Sequence, residues 1–386
     1  MNTKYIITNF ILFLSIVFGL LSCQNNMPID QDAKSGKLKV AVFAGNGASP
    51  TCVIETFEAL RIDTGIFPSI IKSAGIISGK LKDIDVIIFP GGSGSKELTN
   101  LGERGKQKIL DFVKVEGKAA VGICAGGFLF STTKDYPSLQ LVSATEWDRA
   151  HYNKGRALIQ FSLTPQGLEI FPELKDQSCF LQYYDGPVFM PSDSGRSGTM
   201  DYIELAKYTT DIDVHENFPV GVTPGKSFFL NQQVGEGKVI VTAGHPEATP
   251  GMRWIVPRMA RWAADKEMIS YKQKWIRPEL NDSAILFYPK LVKLEKKLFW
   301  QLLNDTVEYR LNAMQKLYEL RSRPAVRWNK GMLRSNNAAV RGKAAELLML
   351  TEYTDALPDL ESALELETNT NTRKYIQDAI EFISEF

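Results

Sequence analysis

The chain has 386 residues, 44% of them apolar and 23% charged, the balance of an ordinary globular protein with room for two domains at roughly 150 residues each. Forty-five lysines and arginines against 44 aspartates and glutamates leave a net charge of +1, which excludes a general electrostatic drive toward nucleic acid.

In chain order, Lys4 precedes an apolar stretch from Ile6 to Leu21 broken by Thr8, Asn9 and Ser15, and this stretch ends in Leu20-Leu21-Ser22-Cys23. The run falls short of the ~20 residues a membrane span needs, and a polar tail follows at once. Residues 1–22 therefore resemble a bacterial lipoprotein signal peptide, and cleavage there makes Cys23 the lipid-bearing N-terminus; a transmembrane anchor is the alternative. Residues 23–36 are polar and aperiodic, which reads as a tether. The expected location is the bacterial cell envelope, anchored to a membrane lipid through Cys23 and facing the periplasm or the exterior.

From Leu38 strand-like and helix-like segments alternate. Leu38–Ala44 reads as a strand, Thr51–Ala59 as a helix, Asp83–Phe89 as a strand, Glu103–Val115 as a helix and Ala119–Ile123 as a strand. Such alternation predicts an α/β fold, a flavodoxin-like, doubly wound and mainly parallel sheet with helices on both faces. The stretches Ala157–Leu163, Phe180–Tyr184, Ile203–Tyr208 and Ser227–Val234 look antiparallel, and Gly235-Glu236-Gly237 predicts a hairpin turn. Ligand sites in open sheets of this type lie at strand C-terminal ends. Three Gly- or His-bearing segments fall there: Gly91-Gly92, Cys124 and His245.

The segment Val121-Gly122-Ile123-Cys124-Ala125-Gly126-Gly127 reads as a nucleophile elbow, a sharp strand-to-helix turn that exposes one thiol. A helix N-terminus carries partial positive charge, which favours the anionic form of a thiol placed there. A buried structural cysteine on a Gly-rich turn is the competing reading. Val239–Ala243 delivers Gly244-His245-Pro246-Glu247, so His245 is the candidate base for Cys124, with Glu247 orienting the imidazole. Backbone N–H groups of the Pro90-Gly91-Gly92-Ser93-Gly94 turn and of Ala125 are candidate oxyanion donors. Neither phosphate-loop spacing is present there. Tyr183 and Tyr184 are candidates for lining the substrate pocket. His151 and His215 have no metal-type spacing and read as surface or structural residues. Cys52 and Cys179 could pair in an oxidising compartment, but read better as separate buried side chains. No cofactor and no metal site is expected.

Strand–Pro-Gly-Gly, then Gly-x-Cys-Ala-Gly-Gly, then a late His-Pro-Glu is similar to the class I glutamine amidotransferase-like superfamily. It resembles most the biotin-protein ligase N-terminal domain branch, with the loop Gly45–Ser49 and the aromatic segment Tyr183–Phe189 in corresponding places. The resemblance runs from about Lys37 to Ala264 and sets a domain over residues 37–266. It implies Cys124 as nucleophile, His245 as general base, Glu247 as its partner, and Gly92 and Ala125 as oxyanion donors. Nothing resembles the Gly-Arg-Gly-Arg loop of the ligase catalytic module, and Gly195-Arg196-Ser197-Gly198 is only a turn-like echo, so a biotin ligase is not expected.

Past Ala264 the composition shifts, and residues 284–386 read as a second, all-α domain. Leu291, Leu294, Leu298 and Leu302, then Tyr309, Leu311, Met314, Leu317 and Leu320, mark amphipathic helices. Residues 336–386 resemble HEAT-type repeats, with an ordinary helical bundle as the alternative; a short array of this kind is expected to dock on its neighbour. Two functions follow from the sequence. One is a Cys-dependent amidohydrolase or amidase-type acyl transferase acting on a small or peptide substrate. The other is a non-catalytic lipoprotein that binds a ligand in the pocket and recruits a protein partner through its helices.

Overall fold

Val86–Phe89 and Ala119–Ile123 contain no charged side chain, and both become strands buried on both faces, as parallel strands under two helical layers must be. The computed structural model describes residues 36–147, 155–192, 201–212 and 221–386. Cys23 with the whole leader, His151, His215 and the Gly195–Gly198 segment lie outside the described residues. Leu38–Phe386 forms one compact unit.

The elements run β1 (Leu38–Phe43), α1 (Pro50–Leu60), β2 (Ile66–Ile71), α2 (Ser73–Ile77), β3 (Val86–Phe89), α3 (Gly94–Lys114), β4 (Ala119–Ile123) and α4 (Ala125–Phe130). There follow β5 (Ala144–Glu146), β6 (Arg156–Leu163), α5 (Pro165–Ile170), β7 (Cys179–Tyr184), β8 (Phe189–Pro191), β9 (Ile203–Tyr208), β10 (Ser227–Val234), β11 (Gly237–Thr242) and α6 (Ile255–Ala263). The last part is β12 (Ile285–Leu286), α7 (Pro289–Gln301), α8 (Val307–Glu319), α9 (Arg323–Met332), α10 (Ala338–Leu350), α11 (Leu357–Leu366) and α12 (Thr370–Ile383).

Among the described residues all strands belong to one sheet, ordered β12-β6-β9-β10-β11-β4-β3-β1-β2 along its main path. The block β11-β4-β3-β1-β2 is parallel. Beyond it β10, β9 and β6 add antiparallel strands, with β7 and β12 on β6. The α/β fold class is therefore as expected, and the parallel block is the part that carries the candidate site. Gly235 and Glu236 make the expected turn between β10 and β11. One core lies under α1 and α6, with Val53, Leu60, Ile255 and Met259; the other lies under α3 and α4, with Ile109, Phe112, Leu129 and Phe130.

The elbow depends on close backbone approach. A Cβ at Gly126 would stand 2.2 Å from the Phe89 carbonyl oxygen, and one at Gly122 2.8 Å from the Gly126 carbonyl. Both contacts are to backbone, so nothing can rotate aside. Gly126→Ala is expected to lower unfolding stability by about 1–3 kcal/mol, read by urea denaturation.

Helices α7 to α12 bury their own cluster around Leu298, Met314, Leu317, Leu348 and Ile376. Asn337 caps α10 by accepting from the Ala339 and Val340 amides, and Asn369 caps α12 by accepting from Thr372. Polar contacts fasten these helices to the sheet side. Gln182 Nε2 donates to the Arg321 carbonyl at 2.8 Å, Arg156 Nη1 to Glu295 at 3.0 Å, and the Gly251 amide to Glu352 at 2.9 Å. Among the described residues no helix is long and apolar enough to cross a membrane.

Candidate functional site

Cys124 follows β4 directly and precedes the first residue of α4. Its backbone sits at φ 52°, ψ −102°, a conformation that side chains other than glycine avoid at a cost of order 1–3 kcal/mol. The fold holds it there by fixing β4 through the Cys124 N–H to Thr242 carbonyl bond of 2.9 Å, while the Gly127 amide returns to the Cys124 carbonyl at 2.9 Å. The result is the elbow read from the sequence. The thiol is 5% exposed and donates to the Tyr184 carbonyl at 3.3 Å.

His245 arrives from the neighbouring strand. β11 lies beside β4 in parallel register, so residues following both strands emerge at the same sheet end. The His245 amide donates to the Gln182 carbonyl at 2.8 Å, which fixes its backbone. Its Nδ1 lies 2.7 Å from Glu247 Oε1, and both side chains are buried. Nε2 is buried without a hydrogen-bond partner of its own. Burial disfavours the charged imidazole, but the charges of Cys124 and then Glu247 outweigh it and hold the imidazole pKa well above its ordinary value. Glu247 is pushed up by burial, yet His245 and then Arg323 bring it below the usual carboxylate range.

The expected oxyanion donors sit beside this centre. Gly92 lies in the turn between β3 and α3, where two backbone bonds, Ser49 N–H to Gly91 and Ser93 N–H to Gly47, bracket it without using its own amide. Ala125 opens α4, so its amide is one of the donors that a helix start leaves unpaired. Of the two tyrosines, the structure brings only Tyr184 to the site: its ring meets His245 edge-on with centroids 5.9 Å apart. Tyr183 points the other way. It is fully buried, and its hydroxyl donates to the Gly186 carbonyl at 2.6 Å, so it packs the core rather than lining the site.

Three further residues complete the centre. Arg323, the first residue of α9, reaches in from the helical part. Its Nε donates to Glu55 Oε2 at 3.0 Å, Nη2 stands 3.4 Å from Cys52 Sγ and 3.5 Å from Glu247 Oε1, and Nη1 lies 3.3 Å from His245 Nδ1. Its guanidinium also covers the Tyr184 ring at 5.5 Å. Cys52, on the first turn of α1, is the second thiol here. Burial pushes it up, but the Arg323 charge and the His245 hydrogen bond prevail and hold it below an ordinary thiol. Cys52, Cys124 and Cys179 are all free and buried, and Cys52 stands against Arg323 and His245 rather than in apolar surroundings. Cys52, His245 and Glu247 bring one ligand atom each within 4.8 Å of one another, a soft donor set of zinc type. The Arg323 guanidinium stands among the same three atoms, so their charge is already answered and a metal does not fit beside it.

Glu97, on α3, is the third. It is fully buried with both carboxyl oxygens unpartnered, and burial, followed by the nearby Cys52, pushes it up to about 8. The folded protein keeps this proton up to pH about 8, whereas the unfolded chain releases it near 4.5. More protons bound in the folded state means stability falls as pH rises through that window. Glu97→Gln removes this slope. Its unfolding free energy relative to wild type is expected to rise between those pH values by on the order of a few kcal/mol, measured by urea titration at each pH.

Residues 38–140 match the family model described as "Biotin-protein ligase, N terminal". The match takes in Cys52, Gly92, Glu97, Cys124 and Ala125 and ends before Tyr184, His245 and Glu247. The biotin–protein ligase of Schizosaccharomyces pombe is 29% identical over 102 residues, which is 26% of this chain and 16% of that ligase, so the chain spans about a sixth of the relative. Among solved structures, a ThuA-like protein from Parabacteroides merdae is 11% identical and aligns over 62% of this chain and 99% of its own, with a TM-score of 0.41. A cytoplasmic protein of Salmonella typhimurium is 12% identical over 61% of this chain and 100% of its own, with a TM-score of 0.40. A β-galactosidase from Rahnella sp. R3 is 14% identical over 54% of this chain and 29% of its own, with a TM-score of 0.36.

Proposed function

We propose that this chain is an envelope-anchored lipoprotein whose Cys124–His245–Glu247 centre cleaves an amide bond in a small or peptide substrate. The observation that carries the reading is a buried imidazole paired with Glu247 and electrostatically coupled to Cys124, which sits on a strained elbow at the start of α4. In this reading the Cys124 proton passes to His245 and the sulfur attacks the carbonyl carbon. The Gly92 and Ala125 amides receive the charge that develops on oxygen. His245 then returns the proton to the departing nitrogen as the C–N bond breaks. Water, deprotonated by His245, cleaves the thioester and restores the thiol.

A screen of carboxamides, from free amino acid amides to short peptide amides, for ammonia release tests the reaction. Turnover abolished by Cys124→Ala with an unchanged unfolding midpoint supports it; amide turnover that survives Cys124→Ala overturns it. A non-catalytic ligand-binding lipoprotein is the second reading, favoured by the low exposure of Cys124 and its hydrogen bond to Tyr184.

The anchoring half rests on the Leu20–Cys23 segment. Metabolic labelling with an alkyne fatty acid checks it, with label and membrane fractionation both lost in Cys23→Ala. Exposed Trp300, Leu303 and Tyr309 on the helical part support a protein partner there.

A further inference from the structure

Next to the catalytic centre lies a cleft of about 410 Å³ whose walls come from opposite ends of the chain. One wall is the start of α1, with Ser49 and Thr51, together with Tyr184; the other is a face of α9, with Arg323, Arg327 and Trp328. Positions 323 and 327 are one helical turn apart and share a face of α9, and Trp328, the next residue round the helix, also reaches the cleft. The lining contains two guanidinium groups and no carboxylate. Glu55 and Glu247, which neutralise Arg323, line a separate cavity behind it. Arg327 is exposed, and no carboxylate forms an ion pair with it among the described residues. The aromatic walls are placed to cover an apolar stem. Trp328 is 37% exposed, and the Tyr184 ring closes the opposite side near His245.

We infer that this cleft is the substrate-recognition subsite, that it takes a small molecule or chain end bearing a carboxylate, and that Arg327 of α9 is the residue that selects it. A planar guanidinium pairs a planar carboxylate through two parallel hydrogen bonds, which an ammonium cannot do. The hydroxyls of Ser49 and Thr51 and the positive end of the eleven-residue α1 face the same space. The catalytic centre is thus fed from a pocket that the sheet alone does not possess. The inference deepens the amidase reading, but the anion subsite stands or falls independently of whether Cys124 turns over.

The test places a reporter thiol on the cleft wall. Ser49→Cys is nearly isosteric, and the Ser49 hydroxyl caps nothing. Alkylation of that thiol by neutral iodoacetamide, mapped by peptide mass spectrometry, is followed as glutarate is added. Saturable protection is expected with Arg327 intact, with the half-protecting concentration raised about fivefold or more in Arg327→Ala and protection lost in Arg327→Glu. The rate ratio of iodoacetate to iodoacetamide at the reporter is expected to fall about tenfold from Arg327 to Arg327→Glu, and to shrink with added salt. Equal protection and equal ratios in all three proteins, each folded by thermal melt, overturn the subsite. Alkylation of Cys124 by the neutral reagent, compared between wild type and a His245 variant, reports on the catalytic reading separately.

Discussion

Replacing His245 with alanine is expected to slow iodoacetamide alkylation of Cys124 about a hundredfold or more, the usual size of a positioned proton acceptor's contribution. The imidazole pairs with Glu247 and is coupled to Cys124, and its pKa is held well above the ordinary value. At neutral pH it is therefore ready to hold the proton that leaves sulfur. Cys52 loses the same imidazole but keeps Arg323 at 3.4 Å, so its labelling is expected to fall by less than that of Cys124. The ratio of Cys124 to Cys52 labelling should therefore fall, which a general loosening of the protein would not produce. His245→Gln, which keeps most of the volume, is expected to behave like the alanine variant. Equal Cys124 rates in wild type and both variants, measured by mass spectrometry on folded protein, would falsify the assignment of His245 as base.

The parallel half of the sheet was legible because buried strands are continuous apolar runs. Val86–Phe89 and Ala119–Ile123 could be little else. The elbow was legible for a related reason: glycines at 122, 126 and 127 around one cysteine are what close packing of a strand-to-helix turn requires. β2 was not read, because Pro68 and Ser69 interrupt Ile66–Ile71. Its position at the sheet edge is where a proline is tolerated. Tyr183 and Tyr184 are neighbours on one strand and so face opposite sides, one into the core and one toward His245.

What stayed hidden was the charge chemistry that crosses the fold. Arg323 lies 78 residues after His245 in a segment whose periodicity announces helices and nothing more. One signal was available. Glu55 shares the buried side of α1 with Cys52, Val53, Thr56 and Ala59, and a carboxylate on a buried face demands a cation. The partner's identity could not be read from local pattern, because only the docking of α9 against the sheet brings it near. Glu97 carried no such signal, since its position in α3 looks like any exposed helical acid until the Gly45–Ser49 loop closes over it. The helical part is thereby more than an appendage. It supplies one wall of the cleft and, in Arg323, a cation that touches Cys52, His245 and Glu247 together.

Arg323→Met is expected to cost about 3–5 kcal/mol of unfolding stability at pH 7, because it leaves buried carboxylates without their cation. The side chains of Arg323 and Glu55 are each 10% exposed and that of Glu247 is fully buried, so water cannot replace the lost partner. Methionine preserves most of the stem and its packing, which isolates the charge from the volume. Glu247 gives the sign of the pH dependence. Its folded pKa is lowered, so the stability it contributes is present above its unfolded value of 4.5 and lost as pH falls through the folded one. Arg323 supplies part of that lowering. The gap between wild type and Arg323→Met should therefore narrow below pH about 4.5, by urea denaturation at each pH. Adding Glu55→Gln to Arg323→Met is expected to recover part of the loss, since it removes one orphaned charge, and the double-mutant cycle then reports a coupling above about 1 kcal/mol. A single variant as stable as wild type, or a double variant that recovers nothing, would show that Arg323 merely fills space between α1 and the helices. The site would then owe its electrostatics to the sheet alone.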